Sequence, residues 1–300
     1  MVASKQHRKQ LLIFNQNVFD LTSCLLLVIT YSVKICDIYL EGVSGYWLCM
    51  TLYSDNFVWC AINGSVINLL SITIERYLKV VYPIWSKKFL RKWVLYSAVA
   101  FAWIRPTAYT VALVFTTSGV INGLCYATLI WKSQLAALAH SIWYFMASFF
   151  VVVVCIFTFC YWRILAVIRR QAGVMAGHSG HAGSSTFQSQ STQIQSNVVK
   201  TMVVVSVFYV VAWMPVTLYY LITFVDSDVT FDSNIYYVLT FIAFLYICSN
   251  PFVYAVKFDP VTRILLDLIG VMMPQRSVGN AEMTQSGSAT ATVRSVQQRN

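Results

Sequence analysis

Long apolar blocks separated by short polar segments dominate the pattern of this chain. Each of six blocks is long enough for the roughly 20 helical residues that cross the hydrocarbon core of a bilayer. They cover, approximately, residues 11–36, 47–74, 93–115, 136–168, 198–225 and 234–256. In lipid, only helices or closed barrels satisfy the backbone polar groups, and these blocks are too long and continuous for barrel strands. The pattern therefore predicts an all-α membrane protein, a transmembrane helix bundle over residues 11–256.

The segments between the blocks alternate between basic ones and acidic or neutral ones. The basic segments hold 18 of the 21 Lys and Arg residues: Lys5, Arg8, Lys9, Arg76, Lys79, Lys87, Lys88, Arg91, Lys92, Arg163, Arg169, Arg170, Lys200, Lys257, Arg263, Arg276, Arg294 and Arg299. The other segments carry Asp37, Glu41, Lys132, Asp226, Asp228 and Asp232. By the positive-inside rule, we expect the basic segments and both termini in the cytoplasm of a multi-pass protein. The net charge of +10 then reports topology, and nucleic-acid binding is the weaker interpretation.

Composition supports this assignment and divides the rest of the chain. With 58% hydrophobic and 11% charged residues and a mean hydropathy of +0.65, the chain has too few polar residues to coat a soluble globule. Residues 1–10 are predicted to form a cytoplasmic loop, and residues 257–273 a short amphipathic helix. Residues 172–196 and 274–300 are rich in Ser, Thr, Gln and Gly, which predicts a disordered third cytoplasmic loop and tail.

Ionisable, amide and proline residues recur at particular places within the apolar blocks. Asp20 lies in the middle of the first block, where an ionisable group is costly without a partner, a cation or water. The other sites are Glu75-Arg76-Tyr77 at the cytoplasmic end of the second block, Trp213 and Pro215 within the fifth, and Asn250, Pro251 and Tyr254 at the end of the sixth. Each signal alone is common in membrane proteins, whereas their order, spacing and side of the membrane are specific.

Together these motifs resemble the rhodopsin-like (class A) family of G protein-coupled receptors, over nearly all of residues 5–275. The resemblance runs from the family's second helix to its eighth, so it implies six of seven membrane helices, with an N-terminally truncated chain that is expected to lack the first. It implies a plasma-membrane receptor without enzymatic activity. Such a receptor transduces binding of an extracellular ligand into activation of a heterotrimeric G protein, and membrane lipids surround it.

The resemblance also implies roles for individual residues. Asp20, Ser65 and Asn250 match the family's sodium site, so an allosteric Na⁺ at Asp20 is the one cofactor expected, and no other metal site is predicted. The residues that match the coupling and switch motifs are Glu75, Arg76, Tyr77, Tyr161, Trp213, Pro215, Asn250, Pro251 and Tyr254. In this scheme Glu75 is the nearest counter-charge to Arg76. Tyr161 is expected to face Tyr254 and Arg76 in the active state.

Several positions depart from the family pattern. Val153 stands where helix five usually has proline, Tyr209 replaces a phenylalanine, and Gln195 stands where some members place an acidic partner for the arginine. Cys49 and Cys125 lie in or beside segments assigned to the oxidising side, with Cys36 near the border, so we expect a Cys49–Cys125 disulfide. Cys49 is two residues further from Arg76 than is usual, so the top of helix three must absorb an insertion.

The ligand is less well defined. Val58 stands where the family's amine receptors carry aspartate, and Phe244 where opsins carry the retinal lysine, which disfavours a small amine bound in the usual way and covalent retinal. The residues expected to line an outer ligand pocket are Asp55, Asn56, Trp59, His140, Trp213 and Tyr220. Because the outer segments are acidic, a cationic peptide is the leading candidate. The alternative is that acidic loops only follow topology.

Two other classes remain open at this stage. A six-helix transporter or channel subunit would show internal repeats, and residues 1–135 and 136–270 show none. An intramembrane enzyme needs a nucleophile or paired carboxylates at membrane depth, and Asp20 is the only carboxylate in the middle of a block.

Overall fold

The computed structural model describes residues 2–36, 38–127, 130–177, 185–225 and 234–257. The described residues form nine α-helices: α1 (Val2–Ile35), α2 (Gly42–Leu48), α3 (Asn56–Val81), α4 (Pro83–Phe89), α5 (Lys92–Thr117), α6 (Gln134–Ser141), α7 (Val152–Gly177), α8 (Ser185–Val225) and α9 (Asn234–Lys257). Two π-helical segments, Cys49–Tyr53 and Ile142–Val151, precede α3 and α7. Two short strands, β1 (Gly119–Ile121) and β2 (Leu124–Tyr126), follow α5.

The helices confirm the predicted membrane bundle. Within the described residues, five helical stretches are long and apolar enough to cross a bilayer: Leu11–Ile35, Gly42–Val81, Lys92–Thr117, Val152–Gln171 and Val199–Thr223. The sixth predicted block corresponds to α9, whose apolar part, Asn234–Asn250, is shorter. The protein is therefore an all-α multi-pass membrane protein, with the β1–β2 hairpin as an element that the hydrophobic pattern did not reveal.

Helix α3 lies at the centre of the bundle and packs against α1, α5 and α7, while α9 packs against α8 and α1. Gly64 permits a close approach of α3 to both α1 and α5. A Cβ atom there would lie 2.7 Å from Cζ of Phe19 in α1 and 3.0 Å from the carbonyl oxygen of Ala102 in α5. Glycine is thus required where three helices meet, because any side chain would push α1 or α5 away.

The hairpin covers one end of the bundle and is held there covalently. Asn122 and Gly123 both have positive φ, 52° and 76°, as the tight turn of a two-residue hairpin requires. Val120 pairs with Cys125, and Cys125 forms the predicted disulfide with Cys49, with the two Cα atoms 5.4 Å apart. The bond therefore fixes the hairpin to the π-helical segment that leads into α3.

Helix extends further than the apolar blocks do. Helix α1 begins at Val2, α7 continues to Gly177 and α8 starts at Ser185, so helix enters the segments predicted as the 1–10 loop and the 172–196 disordered loop. These stretches contain no proline, and each added residue of a formed helix gains a backbone hydrogen bond. Residues 178–184, the remainder of the predicted amphipathic helix after Lys257, and the tail 274–300 lie outside the described residues.

Candidate functional site

A cavity of about 240 Å³ opens between the helices near the Cys49–Cys125 disulfide. All six residues predicted for the ligand pocket line it: Asp55, Asn56, Trp59, His140, Trp213 and Tyr220. The remaining wall is mainly aromatic and aliphatic, with Tyr31, Tyr144, Tyr236 and Phe244 among its members. An apolar cavity with a few converging polar groups has the character of a small-molecule or peptide side-chain site. The structure thus brings the predicted pocket residues together, while their role in binding stays a prediction.

The entry to α3 shapes one side of this cavity. The chain is π-helical over Cys49–Tyr53, and Asp55 then adopts a left-handed conformation with φ 55° before α3 begins at Asn56. A π-helical turn accommodates additional residues within a helix, so its position fits the predicted insertion between Cys49 and Arg76, which itself stays a prediction. Val58 is 1% exposed and is not part of the cavity wall, whereas Asp55, about one turn earlier, is. The carboxylate of the cavity is therefore displaced from the position that the family comparison suggested.

Lys34 in α1 neutralises this carboxylate. Its Nζ donates to both Oδ1 and Oδ2 of Asp55 at 2.8 Å, and the two side chains are 27% and 29% exposed. The same ammonium group lies 5.4 Å from the ring centre of Tyr31. Sequence reasoning missed Lys34, although a lysine at the acidic end of a membrane helix departs from the positive-inside pattern and is a signal of its own. The outer face therefore contributes less free negative charge to the cavity than the sequence suggests.

His140 of α6 lines the cavity and is contacted from behind by a tyrosine of α5. The hydroxyl of Tyr109 is 2.9 Å from Nδ1 of His140, and the ring of Tyr109 stacks on Tyr144 with centres 4.4 Å apart. The guanidinium carbon of Arg105 lies 5.9 Å from the centre of the Tyr109 ring. Arg105 lies midway along a membrane helix, where the aromatic face offsets part of its burial cost. The sequence analysis did not single out Arg105 or Tyr109.

Trp213 and its neighbours connect the cavity to the interior of the bundle. The Trp213 ring is 2% exposed, with its centre 6.1 Å from that of Trp59 and 6.4 Å from that of Tyr209. Tyr209 is fully buried and contacts Phe157 in α7 and Tyr246 in α9. The tyrosine that departs from the family pattern is thus the centre of an aromatic cluster between α7, α8 and α9. Pro215 lies within α8, two residues after Trp213.

The predicted sodium-site residues lie below this cluster. Ser65 Oγ donates to Asp20 Oδ1 at 2.8 Å, and both side chains are buried. Asn250 lies beside the same carboxylate, yet neither its Oδ1 nor its Nδ2 has a hydrogen-bond partner among the described residues. Gln16, one helical turn before Asp20, also donates to Asp20 Oδ1 at 3.1 Å. Asp20, Ser65 and Asn250 are therefore brought together, with Gln16 as a fourth member that the sequence analysis did not name.

The expected pairing of Glu75 with Arg76 is wrong in this structure. Glu75 is 4% exposed and forms its ion pair with Lys79, four residues later. Residues four apart lie on one helical face, whereas adjacent residues point in different directions. The Nε atom of Arg76 is buried without a hydrogen-bond partner among the described residues. A buried guanidinium nitrogen in this state is available to an acceptor from another element or protein.

Tyr161 ties three helices together close to Arg76. Its hydroxyl is 3.0 Å from Oγ1 of Thr73 in α3 and accepts from Oγ of Ser206 in α8 at 3.1 Å. Thr73 lies three residues before Arg76, so this contact is within one helical turn of it. The predicted approach of Tyr161 to Tyr254 lies outside the described residues, and so do the side chains of Pro251 and Gln195.

The family model described as "7 transmembrane receptor (rhodopsin family)" matches residues 1–254.

This chain belongs to the rhodopsin family of seven-transmembrane receptors.

Among curated relatives, the receptor is 22% identical over 227 residues to trace amine-associated receptor 7b of Mus musculus, covering 73% of this chain and 61% of that protein. It is 25% identical over 214 residues to trace amine-associated receptor 8b of Rattus norvegicus, covering 69% of this chain and 61% of the relative. The chain thus spans about three fifths of the length of these relatives. Family and helices together identify a multi-pass receptor of the plasma membrane, and the transporter interpretation is not favoured.

The residues at Asp20 do not provide an open sodium site. A cation held by Asp20 and Ser65 would need the space between their oxygens, and Nε2 of Gln16 lies there, 3.1 and 3.4 Å from the two carboxylate oxygens and 2.5 Å from Ser65 Oγ. An amide nitrogen is a donor and does not coordinate Na⁺. Binding of the expected allosteric sodium ion would therefore require Gln16 to move away from Asp20 and Ser65.

Proposed function

We propose that this receptor converts ligand binding in the outer cavity into activation of a heterotrimeric G protein at its cytoplasmic end. The observation that carries the proposal is a connection through α8. Trp213 in this helix lines the cavity, and Ser206, two turns away, donates to Tyr161 at 3.1 Å. Tyr161 in turn contacts Thr73, one turn from Arg76. A shift of α8 caused by a ligand would therefore change the contacts around Arg76, the residue expected to engage the G protein.

The aromatic cluster supports two alternative arrangements of this connection. Trp213, Tyr209 and Tyr246 are each at most 3% exposed, so no ring can rotate without displacing its neighbour. Closely packed groups of this kind move between discrete positions and do not deform continuously. Loss of the Ser206 contact would free the Tyr161 hydroxyl to find another partner near Arg76. The cluster therefore has the physical properties expected of a switch between two states.

The ligand proposed for the cavity carries a protonated amine. Among such ligands, a cationic peptide is the leading candidate. Asp55 supplies the carboxylate of the cavity wall, Glu41 adds a further acidic group to the outer segments, and the relatives' names refer to trace amines. Lys34 is the constraint, because an incoming ammonium group must share or replace its contact with Asp55. We therefore expect binding to depend on the balance between these two residues.

Arg76→Ala tests G protein coupling. The variant should lose most of its nucleotide exchange on a purified G protein while retaining ligand binding, because Arg76 is several turns from the cavity. Arg169→Ala removes the same charge from an exposed site on α7 and should keep most of the exchange. Equal loss of binding and exchange in Arg76→Ala would show that the residue only supports the fold. No exchange by the unmodified receptor with any ligand would remove the basis of the proposal.

A pair of matched probes tests the amine proposal. Phenylethylamine and phenylethanol have the same ring and chain and differ in the ammonium group. Loss of a charge-assisted hydrogen bond costs about 1.5–3 kcal/mol, so Asp55→Asn should weaken phenylethylamine binding by roughly tenfold or more and leave phenylethanol unchanged. Lys34→Met should strengthen phenylethylamine binding, because Asp55 then lacks its internal partner. A Lys/Arg-rich peptide should follow the amine if it uses the same carboxylate.

Equal affinity of the receptor for the two probes would contradict the amine proposal while leaving G protein coupling intact. The same holds if Asp55→Asn changes the affinity for both probes alike. A ligand that activates exchange without any cationic group would lead to the same conclusion.

A further inference from the structure

A continuous chain of hydrogen bonds, buried from Asn15 onwards, runs from α5 to Asp20. Trp103 Nε1 donates to Asn15 Oδ1 at 3.0 Å, and Asn15 Nδ2 donates to Asn68 Oδ1 at 2.9 Å. Asn68 Nδ2 donates to Gln16 Oε1 at 2.9 Å, and Gln16 Nε2 donates to Asp20 Oδ1 at 3.1 Å. The four members from Asn15 to Asp20 are each at most 7% exposed. Water therefore does not compete for these bonds, and each group depends on its neighbour in the chain.

The direction of every bond in this chain follows from its first member. An indole N–H is only a donor, so Asn15 must present its oxygen to Trp103 and its amino group to Asn68. The same requirement passes through Asn68 to Gln16. Reversing any one amide would place two donors or two acceptors against each other in a buried site. Gln16 is therefore held with its amino group towards Asp20.

The amino group of Gln16 has the surroundings of a bound cation. It lies 3.1 and 3.4 Å from the two oxygens of Asp20 and 2.5 Å from Ser65 Oγ. Its partial positive charge faces a carboxylate that is fully buried in the middle of the bundle. We propose that the amino group of Gln16 occupies the place of a sodium ion at Asp20 and stabilises the buried carboxylate by hydrogen bonds, so that this receptor is insensitive to Na⁺.

A sodium ion bound together with Gln16 requires a different arrangement. Gln16 would have to turn its oxygen towards the ion, and its amino group would then face the amino group of Asn68. Asn68 cannot reverse in compensation, because its Nδ2 also donates to the carbonyl of Leu12 at 2.9 Å. The hydrogen bonds of Gln16 and Asn68 thus disfavour binding of a cation at Asp20.

Thermal unfolding of the purified receptor tests the proposal without any ligand or G protein. The melting temperature is measured in NaCl and in choline chloride at equal concentration, over a concentration series. For the unmodified receptor we expect the same melting temperature in both salts. Gln16→Leu removes the amino group and should produce a sodium-specific rise that grows with the logarithm of the Na⁺ concentration, as binding to the folded state requires.

Two further variants make the result decisive. Gln16→Leu combined with Asp20→Asn should lose the sodium-specific rise, because the site then has no net negative charge. Gln16→Met, which is close to glutamine in length, replaces Gln16→Leu if the latter does not fold. A sodium-specific rise of the same size in the unmodified receptor would overturn the proposal. Absence of the rise in both Gln16 variants would also overturn it, since Asp20 would then hold no cation even without the amide.

Discussion

Replacing Gly64 by alanine tests the helix contact on which the buried polar network depends. The added Cβ would lie 2.7 Å from Cζ of Phe19 and 3.0 Å from the carbonyl oxygen of Ala102. Phe19 cannot turn aside, because it is fully buried and its ring stacks on Trp103 with centres 4.1 Å apart. We therefore expect α1 or α5 to shift, which also strains the hydrogen bond from Trp103 to Asn15.

The size of the effect follows from overpacking. Inserting a methyl group into a filled interior costs about 1–3 kcal/mol. At about 2–4 °C per kcal/mol, the melting temperature of the purified receptor should fall by roughly 2–12 °C. The assay is thermal unfolding in detergent, followed by intrinsic tryptophan fluorescence.

A second substitution distinguishes this cause from a general loss of helix packing. Phe19→Leu makes room at the added methyl group, so the double variant Gly64→Ala/Phe19→Leu should be more stable than the two single effects predict when summed. Additive effects would contradict the proposed contact, as would a Gly64→Ala receptor that unfolds at the original temperature. Either result would mean that α1, α3 and α5 are further apart than described.

Three further predictions concern other parts of the receptor. The Sγ atoms of Cys24 in α1 and Cys248 in α9 are 3.0 Å apart, so mild oxidation by copper phenanthroline should join these helices by a disulfide. After proteolysis, the two fragments should then separate only on reduction, and Cys24→Ser should prevent the cross-link. Absence of a cross-link in the unmodified receptor would contradict the α1–α9 contact. Trp213→Ala should lower ligand-stimulated exchange more than it lowers binding, measured side by side, and the reverse order would make Trp213 only a pocket residue. A tag after Asn300 should be labelled only in permeabilised cells, and labelling of intact cells would reverse the topology.

Much of the site was predictable because membrane helices impose simple rules. A residue's depth follows from its distance along an apolar block at 1.5 Å per residue, so the outer position of Asp55 and the central position of Asp20 could be read directly. The Cys49–Cys125 disulfide was predicted because both cysteines lie in or beside segments on the oxidising side of the membrane, and the structure confirms it. For the segment Cys49–Tyr53, the sequence predicted only that the top of helix three contains an insertion, and did not predict that the segment is π-helical.

The contacts that escaped prediction depend on helix rotation and on partners far apart in sequence. Asp55 accepts a hydrogen bond from Lys34, 21 residues away in the sequence, and Ser65 accepts one from Gln16, 49 residues away. Glu75 shows the same limit locally, because its neighbour Arg76 was the nearest charge in sequence while Lys79 shares its helical face. Sequence spacing states which residues can meet, and side-chain direction decides which do.

The sequence by itself determined that this protein lies in a membrane, how many apolar blocks it has, and the family to which its motifs belong. These properties follow from hydrophobicity, charge asymmetry and spacing, which act locally along the chain and need no knowledge of packing. Only the tertiary structure decided which partner satisfies each buried polar group. In lipid and in a dry core, a polar group must find its partner inside the protein, and that choice depends on the rotation and separation of helices around Gly64. Gln16 shows this dependence most directly: in sequence it is one polar residue in an apolar block, and in the packed bundle its amide faces the carboxylate of Asp20.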